Sequence, residues 1–510
     1  MSSLRKIYQF CPVINHKNAH LTLLLFFWFE KSIFDKNLKK GLMSKTINGF
    51  SKLNKSQKIA WLVNNFFAGD PRVKEVLTQY WNSNKVLQDL HDDFIENTVS
   101  NYYMPFAIAP NFLINDKPYI LPMVIEESSV VAAASLVAKF WSTRGGFKAK
   151  VLSTVKVGQV HFMYSGRKDG IIDYFNAKKD AMLRATKTIT KNMEKRGGGI
   201  LDIALRDKTK DLKDYYQLHV TFQTVDSMGA NFINSCLEAI AREFESEGIQ
   251  IVMSILSNYV PECLVHAEVS CDVSELYAEN SELFAEKFVQ AIQIANAEPH
   301  RAVTHNKGIM NGIDAVVIAT GNDFRAIEAG AHAFAAKSGQ YRSLTNAQID
   351  DGVFKFWIDI PLAVGTVGGL TSLHPLSKLS LDMLGNPTAN ELMQVIAVAG
   401  LAQNFAALRA LTTTGIQKGH MKMHLTNIIK QLGASETDKA YLINYFENKT
   451  VTHNAVVETY QNYINSKKSN DLVLCAWKII DYRRICCSRW SRITGRSYYL
   501  WPKNGCQTWQ

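Results

Sequence analysis

The chain has 510 residues, of which 47% are hydrophobic and 20% are charged, so it is a globular sequence long enough for two or three domains. The formal net charge is +11, but residues 1–42 and 471–510 each carry seven Lys or Arg and two Asp or Glu. Residues 43–470 are therefore close to neutral. A nucleic-acid-binding protein clusters its basic residues on the folded domain, so this distribution argues against nucleic acid as a partner.

The two ends of the chain differ in composition from the rest. The apolar run at residues 21–29 is much shorter than the roughly 20 residues that cross a bilayer, and no small-residue cleavage site follows it. We interpret residues 1–42 as a non-native or disordered extension, with Met43 as the more natural start, and residues 466–510 as an atypical tail. No membrane association is predicted.

Three cysteines, Cys236, Cys263 and Cys271, lie between these ends. Their spacing shows no CxxC or paired pattern, so it predicts neither a disulfide framework nor a zinc site. A reducing, cytoplasmic location is the expectation.

The first elements are helical and then extended. Apolar residues recur with a helical period in residues 56–100. Residues 104–125 are apolar and are broken by a turn at 115–118, after which a strand is predicted at 119–125. An Ala/Val-rich helix is predicted from residue 130, because Ser and Glu precede it. Glu127 lies at this helix start, where it is either a catalytic acid or only a carboxylate favoured by the helix dipole.

Residues 155–258 form a self-contained pattern. Strands are predicted at 155–163, 200–207, 215–224 and 249–256, with helices at 173–195 and 229–247. The order is β-α-β-β-α-β, the split ferredoxin-like arrangement. We predict that it is a domain inserted into a larger one.

The segment from Thr304 to Ser338 carries the strongest chemical signal. We predict that Lys307 lies in a Gly/Asn loop, that an apolar run follows, and that Asp323 lies at the mouth of a helix. Lys307 and Asp323 would then meet as a desolvated pair, which suits the stabilisation of a developing alkoxide. The alternative is a purely structural ion pair.

The last predicted elements are a strand at 356–364, a buried helix at 390–411 and short helices at 418–431 and 436–448. A Ser435–Asp438 capping pair is predicted at the start of the last helix. His420 and His424 share one helix face, a spacing that can bind a metal, but no Glu follows the first His and no third ligand is evident. We predict no metal site. His420 is interpreted as a single working histidine on a flap that closes through a Gly415–Gly419 hinge.

The sequence contains no G-x-G-x-x-G after a strand and no P-loop, so a Rossmann nucleotide site is not predicted. Residues 225–231 instead end a strand and start a helix, whose free N–H groups suit a pyrophosphate. A plain capped turn is the alternative there. Residues 365–369 offer either close backbone approach or a tight turn.

Taken together, these segments resemble the hydroxymethylglutaryl-CoA (HMG-CoA) reductase family, in its soluble bacterial (class II) branch. The resemblance covers roughly residues 45–465. The matching segments, in the family's order, are EESSVVAAAS at 126–135, DSMGAN at 226–231, RAVTHNKGIMNGIDAVVIATGNDFRAIEAGAHA at 301–333, VGTVGGLTSLHPLS at 364–377 and GLAQNFAALRALTTTGIQKGHMKMH at 400–424.

The resemblance implies the interconversion of HMG-CoA with mevalonate and CoA by two hydride transfers from NAD(P)H, through mevaldyl-CoA and mevaldehyde. Lys307 would stabilise the alkoxide, Asp323 would hold Lys307, Glu127 would donate a proton and His420 would protonate the CoA thiolate. The same residues serve the biosynthetic and the degradative direction. The residues matched to the HMG-binding positions are Ser129, Arg301 and Asn311.

For the cofactor, the resemblance implies that Asp226, Met228, Gly229 and Asn231 lie by the dinucleotide. Asp180 falls where this branch can carry an acidic residue facing the adenosine ribose. A carboxylate there repels a 2′-phosphate, so NAD is favoured over NADP.

The predicted fold is α+β. A large, mostly helical substrate-binding domain (43–153 and 261–412) carries an inserted ferredoxin-like nucleotide-binding domain (154–260) and a C-terminal helical flap (413–465). The resemblance also implies a homodimer, or a multiple of it, with active sites at the interface. Two departures from the family pattern are Ser128 in place of Pro and Ser100 in place of Gly.

Two other functions are weighed against the reductase. A non-catalytic CoA- or nucleotide-binding relative would lack the catalytic residues, which are intact here. An acylating aldehyde dehydrogenase needs a nucleophilic cysteine in a suitable motif, and none is evident.

Overall fold

The computed structural model describes residues 46–277, 279–413, 425–447, 449 and 451–467. The chain divides into two compact units, one ending at Met104 and one beginning at Pro105. The first unit contains helices α1 (Lys55–Phe66), α2 (Pro71–Gln79) and α3 (Lys85–Asp92). Asn54, Asp70 and Asn84 cap their N-termini through side-chain oxygens, which is why the helices begin where they do.

The second unit begins with a hairpin of β1 (Phe106–Ile114) and β2 (Lys117–Val124). Asn115 and Asp116 both have positive φ, at 50° and 64°, as a two-residue type I′ turn requires. The predicted turn and the strand after it are thereby confirmed, and the apolar segment before the turn is a strand as well. Helix α4 (Val130–Ser142) and strand β3 (Lys148–Val151) follow.

A second group of elements forms its own sheet and core. Its members are β4 (Lys156–Tyr164), α5 (Lys168–Ala185), α6 (Lys187–Glu194), β5 (Gly199–Asp207), β6 (Tyr215–Gln223), α7 (Ala230–Phe244) and β7 (Ile249–Leu256). The sheet order is β5-β6-β4-β7, with every neighbouring pair antiparallel. The predicted β-α-β-β-α-β order is present.

One predicted helix in this group is two helices. The prediction for residues 173–195 was a single helix, but α5 ends and α6 begins at Thr186. The Thr186 hydroxyl donates to the carbonyl of Leu183 at 2.8 Å, and such back-bonding bends or interrupts a helix.

The remaining elements build the larger core. They are β8 (Leu264–Asp272), α8 (Ser281–Ala297), α9 (Pro299–Ala319), α10 (Phe324–Ala335), β9 (Thr345–Asp350), β10 (Val353–Pro361), α11 (Leu370–Leu373), α12 (Pro375–Met383) and α13 (Ala389–Thr412). Strands β3, β8, β10 and β9 form an antiparallel sheet in that order. The prediction of a mostly helical domain understated this sheet. Strand β8 carries a period of two, with Val265, Ala267 and Val269 buried, which the sequence analysis missed.

Helix α13 is the centre of the larger core. It is the one helix among the described residues that is long and apolar enough to cross a membrane, and 67% of its most apolar window is buried inside the structure. That burial is typical of a core helix in a globular protein. Gly400 faces Ile313 of α9 so closely that a Cβ would lie 2.7 Å from its Cγ1.

Helices α14 (residues 425–431), α15 (Glu436–Tyr445) and α16 (residues 453–467) complete the described chain. They share a small apolar core that includes Leu425, Leu442 and Val456. Ser435 accepts from the amide of Asp438 at 3.3 Å, so the predicted cap of α15 is confirmed. The predicted helix at 418–431 is described only from residue 425, and α16 was not predicted.

Candidate active site

An acid, a lysine and an amide meet beside helix α4. Glu127 lies in the turn between β2 and α4, and its Oε2 accepts from Lys307 Nζ at 2.5 Å. The same oxygen accepts from Asn311 Nδ2 at 3.3 Å. Lys307 and Asn311 are four residues apart on α9, so both side chains reach Glu127 from one helix face. The structure therefore brings together three of the predicted site residues.

Lys307 does not lie in a loop, which corrects the prediction. It lies within α9, and the nearby glycine Gly312 serves helix packing, because a Cβ on it would lie 2.4 Å from the carbonyl oxygen of Ala399 in α13. Of the two glycines that suggested a loop, Gly312 reflects this close crossing of two helices, whereas a Cβ on Gly308 would meet nothing within 4 Å.

The predicted meeting of Lys307 with Asp323 is also absent within one chain. The helix rises about 18 Å from Lys307 to Ala319, so its two ends are far apart. Asp323 instead caps α10 by accepting from the amides of Arg325 and Ala326, and its carboxylate forms a two-point pair with the Arg325 guanidinium at 2.9 and 3.0 Å. Partial burial opposes ionisation of Asp323, but the bonds from Arg325 and the helix amides leave its pKa below the ordinary value.

The Glu127–Lys307 pair is not desolvated in a single chain. The side chains of Glu127 and Lys307 are 37% and 60% exposed. An ion pair this open gains little from the low dielectric that strengthens such contacts in an enclosed site. The burial expected of a working proton donor has to come from groups outside the chain's own described residues.

The other two residues matched to the HMG positions lie elsewhere. Ser129 has φ of 80°, a left-handed conformation, and precedes α4 without a side-chain cap bond. Arg301 is half-buried near the start of α9, and burial lowers its pKa. It lies six residues before Lys307 and is rotated from it by about 120° around the helix axis. His420, the predicted thiolate donor, lies outside the described residues, as does His424.

A cleft of about 830 Å³ lies between the smaller sheet domain and the larger core. Three glycine-bearing turns line it, at residues 227–231, 321–325 and 365–371, and α6 contributes a fourth wall. Met228, Gly229, Asn231 and Asp323 are thereby brought to one place. The turns that looked ambiguous separately in the sequence form one surface.

Helix α7 begins in this cleft. Its N-cap, Gly229, has φ of 88° and carries no side-chain cap, so no side chain satisfies the first N–H groups of the helix. These amides and the positive end of the helix dipole are suited to a phosphate or pyrophosphate. The residues present therefore fit a dinucleotide.

Two predicted cofactor residues do not line the cleft. Asp226 lies behind the turn, where its carboxylate accepts from the amide of Ala389 at 2.8 Å and its carbonyl accepts from the amide of Thr366 at 2.8 Å. Asp180 is exposed on α5 and is not among the lining residues. Its predicted contact with the adenosine ribose stays a prediction.

The sequence analysis missed several residues that line the cleft. Asn322 accepts from the amide of Gly365 at 2.9 Å and so ties two of the turns together. Arg196 follows α6 and Arg325 follows Asp323, and both place a cation on the cleft wall. The GND sequence before α10 was the available signal for Asn322, whereas nothing in the sequence singles out Arg196.

The structure combines an acid–lysine pair with a cleft that lies at the edge of a split β-α-β-β-α-β domain and whose helix start suits a phosphate. This combination is the one expected of a nucleotide-dependent oxidoreductase. The family profile described as hydroxymethylglutaryl-coenzyme A reductase matches residues 68–425. The chain belongs to the hydroxymethylglutaryl-coenzyme A reductase family.

Two curated relatives carry the same description. The chain is 40% identical over 397 residues to a 3-hydroxy-3-methylglutaryl-coenzyme A reductase of Archaeoglobus fulgidus, which covers 77% of this chain and 88% of that protein. It is 37% identical over 349 residues to a probable reductase of Borreliella burgdorferi, which covers 67% of this chain and 80% of that protein.

Solved structures give the same result. A 3-hydroxy-3-methylglutaryl-coenzyme A reductase of Streptococcus pneumoniae is 37% identical, with a TM-score of 0.62, over 83% of this chain and all of that one. A class II structure from the same organism, bound to NADPH in open conformations, is 38% identical, with a TM-score of 0.61, over 72% of this chain and all of that one. The resemblance inferred from the sequence is confirmed.

Proposed function

We propose that this protein is an HMG-CoA reductase that interconverts HMG-CoA with mevalonate and CoA in isoprenoid metabolism. In the reductive direction, one HMG-CoA, two NAD(P)H and two protons give mevalonate, CoA and two NAD(P)⁺, by way of mevaldyl-CoA and mevaldehyde. The contact that carries the proposal is the Glu127–Lys307 pair with Asn311 beside it.

The roles of the pair follow from its chemistry. The Lys307 ammonium would stabilise negative charge on a carbonyl oxygen as that oxygen becomes an alkoxide. Glu127, which already shares a short hydrogen bond with Lys307, would supply the proton. Asn311 holds the same carboxylate oxygen, which limits the positions that the acid can take. Ser129 and Arg301 are proposed to bind the HMG group, Arg301 through its free carboxylate. His420 is proposed to protonate the CoA thiolate.

A nicotinamide dinucleotide bound in the cleft would supply the hydride. The chain's part is to bind its pyrophosphate at the start of α7 and to orient it through Met228, Gly229 and Asn231. The sequence-based preference for NAD rests on Asp180. The cleft wall itself carries Arg196, whose hydrogen bonds within the described residues go to a backbone carbonyl and a thioether, so its charge suits a 2′-phosphate. We propose that both NADH and NADPH enter the cleft.

We propose a homodimer, or a multiple of it, that completes the site. Lys307 lies within α9 and Asp323 lies beyond its C-terminal end, so a Lys307–Asp323 pair requires Asp323 from a second copy. An exposed apolar strip beside the cleft, which a partner would cover, is formed by Val367, Leu370, Leu373, Leu376 and Leu379. A cytoplasmic location is proposed with it, in keeping with the free thiols of Cys236, Cys263 and Cys271.

The test is an absorbance assay of the reduced nicotinamide on the full chain, with HMG-CoA and either cofactor. We expect two cofactors oxidised for each HMG-CoA, and loss of turnover without loss of cofactor binding in Glu127→Gln. A folded protein that binds HMG-CoA or the dinucleotide but oxidises neither NADH nor NADPH would instead be a non-catalytic relative.

A further inference from the structure

A buried lysine supports the cofactor cleft from behind. Lys156 begins β4, and only 5% of its surface is exposed. Its Nζ donates to the hydroxyl of Thr224 at 2.6 Å and to the carbonyl of Ser227 at 2.7 Å. Lysine is almost never buried this deeply without a specific role, because desolvating an ammonium ion is costly.

The turn that Lys156 holds is strained. Val225 has φ of 51°, a left-handed conformation that is a genuine outlier for a β-branched residue. The turn is also tight, since a Cβ on Gly229 would lie 2.5 Å from Cγ2 of Thr224. Such a backbone persists only where its surroundings fix it. The Thr224 hydroxyl donates to the Ser227 carbonyl at 2.6 Å, and the Ser227 amide donates to the Thr224 carbonyl at 3.0 Å. Lys156 binds on both sides of Val225 and so reinforces this closed turn.

The same turn sets the positions of the other cleft walls. The Asp226 carbonyl accepts from the amide of Thr366, and a Cβ on Gly365 would lie 2.5 Å from the amide nitrogen of Met228. The Asp226 carboxylate accepts from the amide of Ala389 at the start of α13. A shift of the turn would therefore move residues 365–371 as well as the start of α7.

We propose that Lys156 is a positioning residue for the nicotinamide dinucleotide, whose ammonium group holds residues 224–229 in the geometry that binds the cofactor. This inference rests on the proposed function and names a residue to which neither the family resemblance nor the lining of the cleft assigns a role. Lys156 itself does not line the large cleft. It acts through the Thr224 hydroxyl and the Ser227 carbonyl.

The charge of Lys156 adds a pH dependence. Burial lowers its pKa to about 8, against the opposing influence of Cys263 and Asp226, which are the titratable groups that face it. Burial raises the pKa of the Cys263 thiol to about 11, so that thiol stays neutral across the relevant range. Above pH 8, Lys156 becomes a neutral amine. Its two N–H groups still match the Thr224 hydroxyl and the Ser227 carbonyl, but without the positive charge these hydrogen bonds are weaker and hold the turn less tightly.

The test measures dinucleotide affinity directly, by calorimetry with NADH and NADPH, from pH 7 to pH 9.5 on the full chain. We expect wild-type affinity to fall roughly ten-fold as the pH passes 8. Lys156→Met should bind the cofactor roughly ten-fold more weakly at pH 7 and lose the pH dependence. Lys156→Arg should recover part of the affinity, and Lys150→Met, at an exposed lysine on β3, should behave as wild type.

Steady-state kinetics separates positioning from general stability. We expect Lys156→Met to raise KM for the cofactor while KM for HMG-CoA changes less than two-fold. Equal increases in both KM values, or a folded Lys156→Met variant with wild-type cofactor affinity, would overturn the inference. If the wild-type affinity for the dinucleotide does not change through pH 8, the inference is also overturned, and this result does not depend on whether the variant folds. Direct binding is read without turnover, so absence of HMG-CoA-dependent oxidation tests the proposed function separately.

Discussion

The two halves of the candidate site are built differently. The Glu127–Lys307 pair depends on one short bond and one amide contact, and both charged side chains are partly open to solvent. The turn at 224–229 is held by a buried ammonium, by backbone bonds and by close contacts to residues 365–366. The cofactor side is therefore preformed in one chain, whereas the acid–lysine side is partly open to solvent in one chain. Under the proposed function, a partner copy or the substrate would supply its low-dielectric surroundings.

The largest expected effect concerns the acid–lysine half of the site, which is partly open to solvent. Lys307→Ala should lower kcat by about 10²–10³-fold, because it removes the cation proposed to stabilise the alkoxide. Lys307 is mostly exposed, so folding and cofactor affinity should be unchanged. Steady-state kinetics together with calorimetry checks both expectations. Lys287→Ala, at an exposed lysine on α8, is the matched control. Full activity in Lys307→Ala would contradict the mechanism.

The second prediction asks whether another copy completes this half. Lys307→Ala and Asp323→Asn should each be nearly inactive, yet co-expressed chains should recover about a quarter of wild-type activity. Half of the randomly formed dimers are mixed, and each mixed dimer has one site with both native residues. The measurement is the activity of protein co-expressed with two affinity tags. No recovery in a purified mixed dimer would show that both residues act from one chain.

The third prediction concerns cofactor choice in the preformed half. Arg196→Gln should lower kcat/KM for NADPH about ten-fold and change kcat/KM for NADH little, because it removes a cation suited to a 2′-phosphate. Asp180→Asn is the informative partner variant. If Asp180 selects NAD, as the sequence predicts, the variant will gain activity with NADPH. If only the cleft wall matters, its NADH to NADPH ratio will match that of wild type.

The smallest expected effect lies between the two halves, on α9. Burial, with repulsion from Glu328 as a second cause, raises the pKa of Asp314 to about 8. A raised pKa means that the folded state binds the proton more tightly than the unfolded state, so this contribution is complete below about pH 4 and is lost as the pH rises through 8.

Asp314→Asn keeps the shape of the neutral side chain and should flatten the decline in the free energy of unfolding between pH 5 and pH 9. Denaturant unfolding at several pH values measures this decline in the free energy of unfolding. Asp382→Asn, at another carboxylate of the same larger core domain, serves as the control. An unchanged slope in Asp314→Asn would show that Asp314 ionises normally in the folded protein.

Local patterns predicted the elements whose signals lie within a few residues. The Asn115–Asp116 turn, the Ser435 cap of α15 and the buried helix at 389–412 follow from turn chemistry, capping and apolar content. Helix α4 begins close to the predicted residue, but Ser129 forms no side-chain cap bond there. The β-α-β-β-α-β order followed from the spacing of apolar residues, which changes between a period of 2, typical of strands, and 3.6, typical of helices. Helix α9 was misread because glycines used for helix packing look the same in sequence as glycines in a loop.

The sequence by itself determined the family and the chemical types at the site, because Glu127, Lys307, Asn311 and Asp323 lie in segments that resemble the family and are carried by local motifs. Only the tertiary structure decided which of them meet. Glu127 and Lys307 are 180 residues apart and join through packing of the β2–α4 turn on α9, whereas Lys307 and Asp323, only 16 apart, are kept apart by a rigid helix. Contacts between distant segments depend on how helices and sheets pack, and no local propensity encodes them.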